Sequence, residues 1–427
     1  MGCLKDIWGR VTFALYIKYM KRNKKTFAYY IYKVYNKKQE VVMKDNNIIF
    51  PNYEHSILNL INTILKYYKV ETKYNSLPEL EKTLQKEYKN VVLIILDGMG
   101  EHILKNISPD NFLYKNHKDI ITSVCPSTTT AAMTTYYSGK PPIETGWIAM
   151  SQYFKEYGRA IEMLRKVDSY THEKINTSRM DVYDLIKYIP VYEQIEKMNP
   201  DVKAYEINPS FCEARSKRNI KANTVELMCD SIKAVCQNKD KNFVLAYNDN
   251  PDALLHKYGC DSNEVKEFIK NAEEQIEKMC KELNNSDTLI IISADHGHKN
   301  IQKIYNILDL KEINDCLIMP PSLESRAVTF FVKENKREKF EEFFENNLKD
   351  EFMLFTKEEF LDRNFLGYGT QHKKVDDFLG NYIAVAISDS IIKLDTYTSK
   401  EKANKKSTHC GFTPNEMEVP LIVIDCK

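Results

Sequence analysis

Residues 90–100 read Asn-Val-Val-Leu-Ile-Ile-Leu-Asp-Gly-Met-Gly. Six consecutive apolar residues, 91–96, suit a strand buried on both faces, the condition of a mostly parallel sheet flanked by helices. An Asp-Gly pair follows at once, at the strand's carboxyl end. Runs of the same character recur at 243–247, 288–292, 382–387 and 420–424. Upstream, Ile57, Leu58, Leu60, Ile61, Ile64, Leu65 and Tyr68 share one broad helical face. Val265, Phe268, Ile269, Ala272, Ile276, Met279 and Leu283 mark a long crossover helix between two of the runs. This alternation predicts an open α/β sheet. Residues 322–376 break the pattern with a short strand, a charged helix and a strand-like stretch, and are expected to form a small α+β subdomain inserted before the main sheet resumes.

The chain has 427 residues, 43% hydrophobic and 28% charged, enough for one large core, with Gly (13) and Pro (14) too scarce for collagen-like or disordered classes. Lys and Arg total 61 against 60 Asp and Glu, so no nucleic-acid polymer is expected as a partner. Residues 1–42 are asymmetric, with ten basic residues against Asp6 and Glu40, and leave a charge of −7 on the rest. That aromatic, basic stretch is read as an extension peripheral to function, with contact at a membrane surface as the other reading. Met43 opens a second natural beginning, so the catalytic domain is expected to span 43–427. The apolar runs are far short of the ~20 residues that a membrane helix needs. Ten cysteines without a Cys-x-x-Cys pair predict reduced thiols and a cytoplasmic protein.

Polar clusters follow the strand signals or open the helices behind them. Asp97 follows the first run; Asp252 and His256 follow the second; Asp295 and His296 follow the third. Asp252 and His256 are four apart, so a helix opened by Pro251 would present both to one ion. Asp295 and His296 are adjacent, which serves one site only on an irregular turn. Each feature alone is ordinary: an Asp after a strand caps a helix, and an Asp-x-x-x-His pair is a solvated helix face. Their joint occurrence at strand carboxyl ends, where open α/β sheets bind ligands, points to a metal site. Between the first and second clusters, Ser127-Thr128-Thr129-Thr130 precedes small helix-forming residues. Hydroxyls there sit beside free N–H groups that favour phosphate, and one becomes a nucleophile once a base or metal takes its proton. His409 by itself is an ordinary loop histidine.

Taken in order, VVLIILDGMG (91–100), CPSTTTAAMTTYYSGKPPIETGW (125–147), NPDALLHKYG (250–259), SADHGH (293–298) and THCGFTP with VPLIV (408–423) resemble the alkaline phosphatase superfamily, in its type I phosphodiesterase/nucleotide pyrophosphatase branch. The resemblance implies a three-layer sandwich, a mostly parallel central sheet with helices on both faces. It also implies a hydrolase with two divalent metal ions, Zn²⁺ or alternatively Mn²⁺. One ion would be held by Asp252, His256 and His409, the other by Asp97, Asp295, His296 and the nucleophile, placed at Thr129 with Thr128 and Thr130 as competitors. The other six histidines, His298 among them, match no ligand position. Two such ions ~4 Å apart clamp the attacking and leaving oxygens of an in-line displacement. The implied substrate is a small phosphate ester, a phosphodiester or nucleotide pyrophosphate, on whose base Trp147 or Tyr153 would stack. Ala132 stands where many relatives carry an Asn that donates to a phosphoryl oxygen, and Met133 replaces a histidine. The alternatives are a phosphomonoesterase or Mn²⁺-dependent phosphomutase of the same superfamily, and a non-catalytic membrane-surface protein.

Overall fold

The computed structural model describes residues 48–107, 111–176, 181–393 and 405–426; the extension read at 1–42 lies outside them. Fourteen strands, in chain order, build the two large sheets. They are β1 (Asn90–Leu96), β2 (His117–Thr122), β3 (Ser151–Phe154), β4 (Arg159–Glu162), β5 (Val167–Asp168), β6 (Val202–Asn208) and β7 (Asn219–Lys221). The remainder are β8 (Lys241–Asn248), β9 (Thr288–Ser293), β10 (Ser322–Leu323), β11 (Ala327–Phe330), β12 (Phe352–Thr356), β13 (Tyr382–Ala386) and β14 (Glu418–Cys426).

The main sheet has the order β2-β14-β9-β1-β8-β6-β7. Strands β9, β1, β8, β6 and β7 run parallel, and β1 at the centre is buried at every residue, as its unbroken apolar run requires. Strand β14 runs antiparallel to both its neighbours. Its apolar run does not reveal that direction. The chain reaches β14 from the His409 loop, which already lies at the sheet's carboxyl edge, so the strand can only run back. Helices cover the sheet, Ile57–Tyr67, Thr129–Ser138 and Val191–Met198 in one group, Val225–Cys236 and Asn263–Glu282 in another. The predicted crossover helix is Asn263–Glu282, capped by Ser262, whose hydroxyl accepts the Val265 N–H. The architecture is the α/β fold expected.

The second sheet, β12-β13-β11-β10-β3-β4-β5, is antiparallel throughout. This corrects the boundary expected at 322–376. The unit also takes β3–β5 from upstream, and the 382–387 run, read as a strand of the main sheet, is its β13. An apolar run records burial on two faces without saying which sheet supplies the neighbours. Here β13 packs between β11 and β12, with Phe340 and Phe344 of the Arg337–Asn347 helix in the same core as Phe330 and Tyr382. Among the described residues no helix is long and apolar enough to cross a membrane, and the nine described cysteines are free.

Candidate metal centre and active site

Strands β1, β8 and β9 end level. Leu96 pairs with Asn248 and Ile95 with Ser293, so the turns after all three open at one edge. Asp97 follows β1 directly, its N–H bound to the Asn248 carbonyl at 3.0 Å and its own carbonyl accepting the Asp252 N–H at 2.9 Å. Gly98 turns the chain at φ +74°, and its N–H donates to Asp295 Oδ1 at 3.0 Å. A Cβ there would meet the Asp252 backbone and the His298 ring, at 3.1 Å from each. Gly297 is tighter still: a Cβ would lie 2.0 Å from the Asn415 carbonyl. These close approaches are what draw turns remote in sequence into one crevice.

The crevice collects the six side chains proposed as metal ligands, together with Thr129. Asp97, Asp295 and His296 form one convergent group, all buried; Asp252, His296, His298 and His409 form another. His256 stands beside the second, its Nε2 3.4 Å from Asp252 Oδ1. Thr129, the first residue of its helix, has Oγ1 3.4 Å from Asp97 Oδ2 and 3.3 Å from His296 Nε2. Its two competitors point elsewhere: Thr128 is fully buried, and Thr130 Oγ1 faces the Met150 sulfur at 3.9 Å. Two participants were not picked out from the sequence. The Tyr247 hydroxyl donates to Asp97 Oδ2; nothing in a β-strand tyrosine announces this. His298, left outside the ligand pattern, is fully buried with Nε2 2.6 Å from Asp252 Oδ1. Its alternation with His296 across Gly297 was the available signal.

The donor set fits divalent cations. Asp97 Oδ1 and Asp295 Oδ2 are buried without a hydrogen-bond partner. Burial, and then the neighbouring carboxylates, raise Asp97 well above the ordinary range; burial also raises Asp295. Burial acts on Asp252 in the same sense, but His256, His298 and His409 outweigh it and hold that carboxyl well below the ordinary range. Burial lowers the pKa of His409, His298 and His256. Three of the imidazoles have a fixed tautomer, because a carbonyl can only accept. Nδ1–H of His256 donates to Ser407 O at 2.8 Å, that of His296 to Gly297 O at 3.0 Å, and that of His409 to Ser127 O at 3.0 Å. In the neutral form Nε2 then carries the lone pair, the usual arrangement of a metal-ligating histidine. At His256 that lone pair receives the Lys405 ammonium, 3.0 Å away. At His298, Ser407 Oγ donates to Leu255 O at 2.6 Å and so accepts from His298 Nδ1 at 3.0 Å, while Nε2 lies 2.6 Å from Asp252 Oδ1. Oxygen and imidazole donors of this kind suit Zn²⁺ and Mn²⁺ alike.

A cleft runs from Thr129 along its helix, past Met133 and Tyr137, and is closed opposite by Trp147, Tyr183, Arg215 and Tyr247. Trp147 and Tyr183 pack with ring centroids 4.8 Å apart, and the Arg215 guanidinium lies 4.1 Å over the Tyr137 ring. Leu164 and Phe211 stand at its lip with 48% and 69% of their surface exposed. Of the two aromatics proposed for stacking, Trp147 lines the cleft. Tyr153 does not; it sits in β3 against Phe331. Ala132 is buried in the main core.

A family model described as type I phosphodiesterase/nucleotide pyrophosphatase matches residues 91–351. No curated protein sequence matches significantly. Among solved structures, murine ectonucleotide pyrophosphatase/phosphodiesterase 5, an inactive variant in complex with AMP, aligns at TM-score 0.56 and 16% identity, over 79% of this chain and 87% of that one. Its human counterpart aligns at 0.55 and 14%, over 78% and 87%. Phosphonoacetate hydrolase from Sinorhizobium meliloti 1021, in complex with phosphonoacetate, aligns at 0.57 and 14%, over 78% and 89%. At these identities the structural likeness establishes the fold.

Proposed function

This chain belongs to the type I phosphodiesterase/nucleotide pyrophosphatase family and is a hydrolase, and from that premise we propose a metal-dependent phosphoesterase that cleaves phosphodiester or nucleotide pyrophosphate bonds through a covalent phosphothreonine at Thr129. The observation that carries this is the position of Thr129 Oγ1, 3.4 Å from Asp97 and 3.3 Å from His296, at the rim of a crevice of three carboxylates and four imidazoles. Asp252, His256 and His409 would hold one divalent cation, and Asp97, Asp295, His296 and Thr129 the other, with His298 beside Asp252. Bound there, two Zn²⁺ or Mn²⁺ ions would supply Lewis acidity and lower the pKa of a nearby hydroxyl and water.

The protein's own residues account for the remaining steps. Thr129 Oγ1 gives up its proton to solvent and attacks phosphorus; the bond to the leaving oxygen breaks in line and that oxygen takes a proton from solvent. Water then attacks phosphorus, its oxygen staying on the phosphoryl group and a proton returning to Thr129 Oγ1 as that bond breaks. Because Thr129 opens a helix, first-turn N–H groups and the positive dipole end face the phosphoryl oxygens. They take over the contact that an Asn at position 132 would make. The cleft past Met133 and Tyr137 receives the organic part of the ester, a small molecule with one apolar or aromatic face. AMP and phosphonoacetate, bound by the structural neighbours, are of that size. Free thiols throughout the described chain support a cytoplasmic setting. The test is turnover of a chromogenic diester against the matching monoester, each with Zn²⁺ and with Mn²⁺. Diester preference with either ion is expected; metal-independent turnover, or none of the diester, refutes the reading.

A further inference from the structure

We propose that Glu416 is a positioning residue: its carboxylate, anchored by Arg326, holds the His409 loop in the crevice and so sets the occupancy of the cation that His409 helps to hold. The inference rests on the metal reading above and concerns two residues, Arg326 and Glu416, to which the sequence reading gave no role.

Glu416 and Arg326 are both completely buried and joined by a two-pronged ion pair, Arg326 Nε to Glu416 Oε1 and Nη2 to Oε2, each at 2.6 Å. The same carboxylate accepts the Gly411 N–H at Oε1 and the Thr413 hydroxyl at Oε2, both at 2.6 Å. Gly411 is two residues after His409. Between them Cys410 sits at φ +95°, a left-handed conformation that a side-chain-bearing residue holds only when its surroundings impose it. At Gly411 a Cβ would lie 2.6 Å from both Arg326 Nη2 and Glu416 Oε2, so the loop is pressed directly onto the ion pair. Arg326 in turn donates to the carbonyls of Ser390 at 2.7 Å and Ser388 at 2.8 Å, which ties the loop to the second sheet's end of the molecule.

Glu416 also touches the other ligand turn, by a different route. Its backbone carbonyl accepts the Gly297 N–H at 2.9 Å, one residue past His296. A side-chain substitution leaves that bond in place. The two halves of the crevice therefore respond differently: losing the carboxylate frees the His409 loop and spares the Asp295–His296 turn.

The experiment compares two double variants that both lack the ion pair. In R326M/E416Q the amide oxygen still accepts from Gly411; in R326M/E416M nothing does. Each purified chain and the parent are dialysed against Co²⁺, and bound metal and the visible spectrum are read. The expected result is two ions for the parent and for R326M/E416Q. R326M/E416M should bind one ion as tightly as the parent and the second at least about tenfold more weakly, the scale typical of partners that orient ligands. The clamp is overturned if the two variants behave alike, whether both keep two ions, both lose one or both fail to fold. Equal weakening of both ions in R326M/E416M overturns it too. A parent that binds no cobalt refutes the metal reading first, and the clamp with it.

Discussion

Replacing Thr129 by Ala separates the proposed chemistry from the scaffold. The substitution removes a hydroxyl whose two contacts are long, 3.4 Å to Asp97 and 3.3 Å to His296. The helix keeps its N-cap residue, Thr128. The stability cost is therefore below about 1 kcal/mol, and for a chain this size the melting temperature should move by no more than about 2–4 °C. Turnover should fall far more. Losing the nucleophile of a covalent mechanism costs on the order of 10⁴-fold or more in kcat, about 5 kcal/mol of barrier. Metal content by elemental analysis should stay close to that of the parent, because the carboxylates and imidazoles remain. The assay is release of a chromophore from a diester, with Thr128→Ala and Thr130→Ala in parallel and both expected within about tenfold of the parent. Residual turnover above about 1% in Thr129→Ala would refute the assignment. If Thr128→Ala or Thr130→Ala abolished activity instead, the nucleophile would be that hydroxyl.

Dialysis against a chelator should abolish turnover and lower the melting temperature, with Zn²⁺ or Mn²⁺ restoring both; an ion at 100 times its Kd adds about 2.7 kcal/mol to stability. Gly297→Ala should destabilise by about 3 kcal/mol in urea titrations, since its Cβ would lie 2.0 Å from a backbone carbonyl that cannot step aside. Tyr247→Phe removes the donor to Asp97 Oδ2 and should weaken the metal by roughly 10–100-fold in a competition titration, with the fold intact. His102 supplies a pH signature. Both its ring nitrogens lack a hydrogen-bond partner and burial lowers its pKa to about 4. The unfolded chain binds that proton first, so stability is full above about pH 6.5 and falls by about 3 kcal/mol on the way to pH 4. His102→Phe should flatten that acid limb in melting curves; an unchanged slope would show that His102 does not titrate on unfolding.

The legible parts of this molecule are those encoded locally. Strand β1 is legible because burial on both faces demands an unbroken apolar run. Asp97, Asp252 and Asp295 are legible because each sits within five residues of the end of such a run. The His409 loop and the Thr129 helix needed the family pattern, since a loop histidine or a Ser/Thr helix start carries no distinguishing local signal. Strand β13 went to the wrong sheet, because β3–β5, which complete its proper sheet, are short and half-exposed and lie more than two hundred residues earlier. Arg326 and Glu416 were invisible for a related reason. They are ninety residues apart, and the chemistry that unites them is an ion pair rather than a periodic pattern.

That division shows how the crevice is built. Asp97 and Asp295 are carried by turns rooted in two strands buried at every residue and are cross-tied, as by the Gly98 N–H to Asp295 Oδ1 at 3.0 Å. Their burial is unfavourable in itself, as the raised pKa of both attests. A rigid sheet edge is what can hold two acids together against that opposition until cations arrive. His409 lies just past a two-residue strand, Ser407–Thr408, paired with Lys299–Asn300, at the head of a loop that passes through a left-handed cysteine. Such a loop cannot hold an imidazole to the tolerance that a metal site demands unless something outside it fixes the backbone. A buried carboxylate accepting from Gly411, neutralised by a buried guanidinium, meets that need without exposing polar backbone in the core. The rigid half of the site is a property of the parallel sheet; the other half depends on an ion pair reaching in from the second.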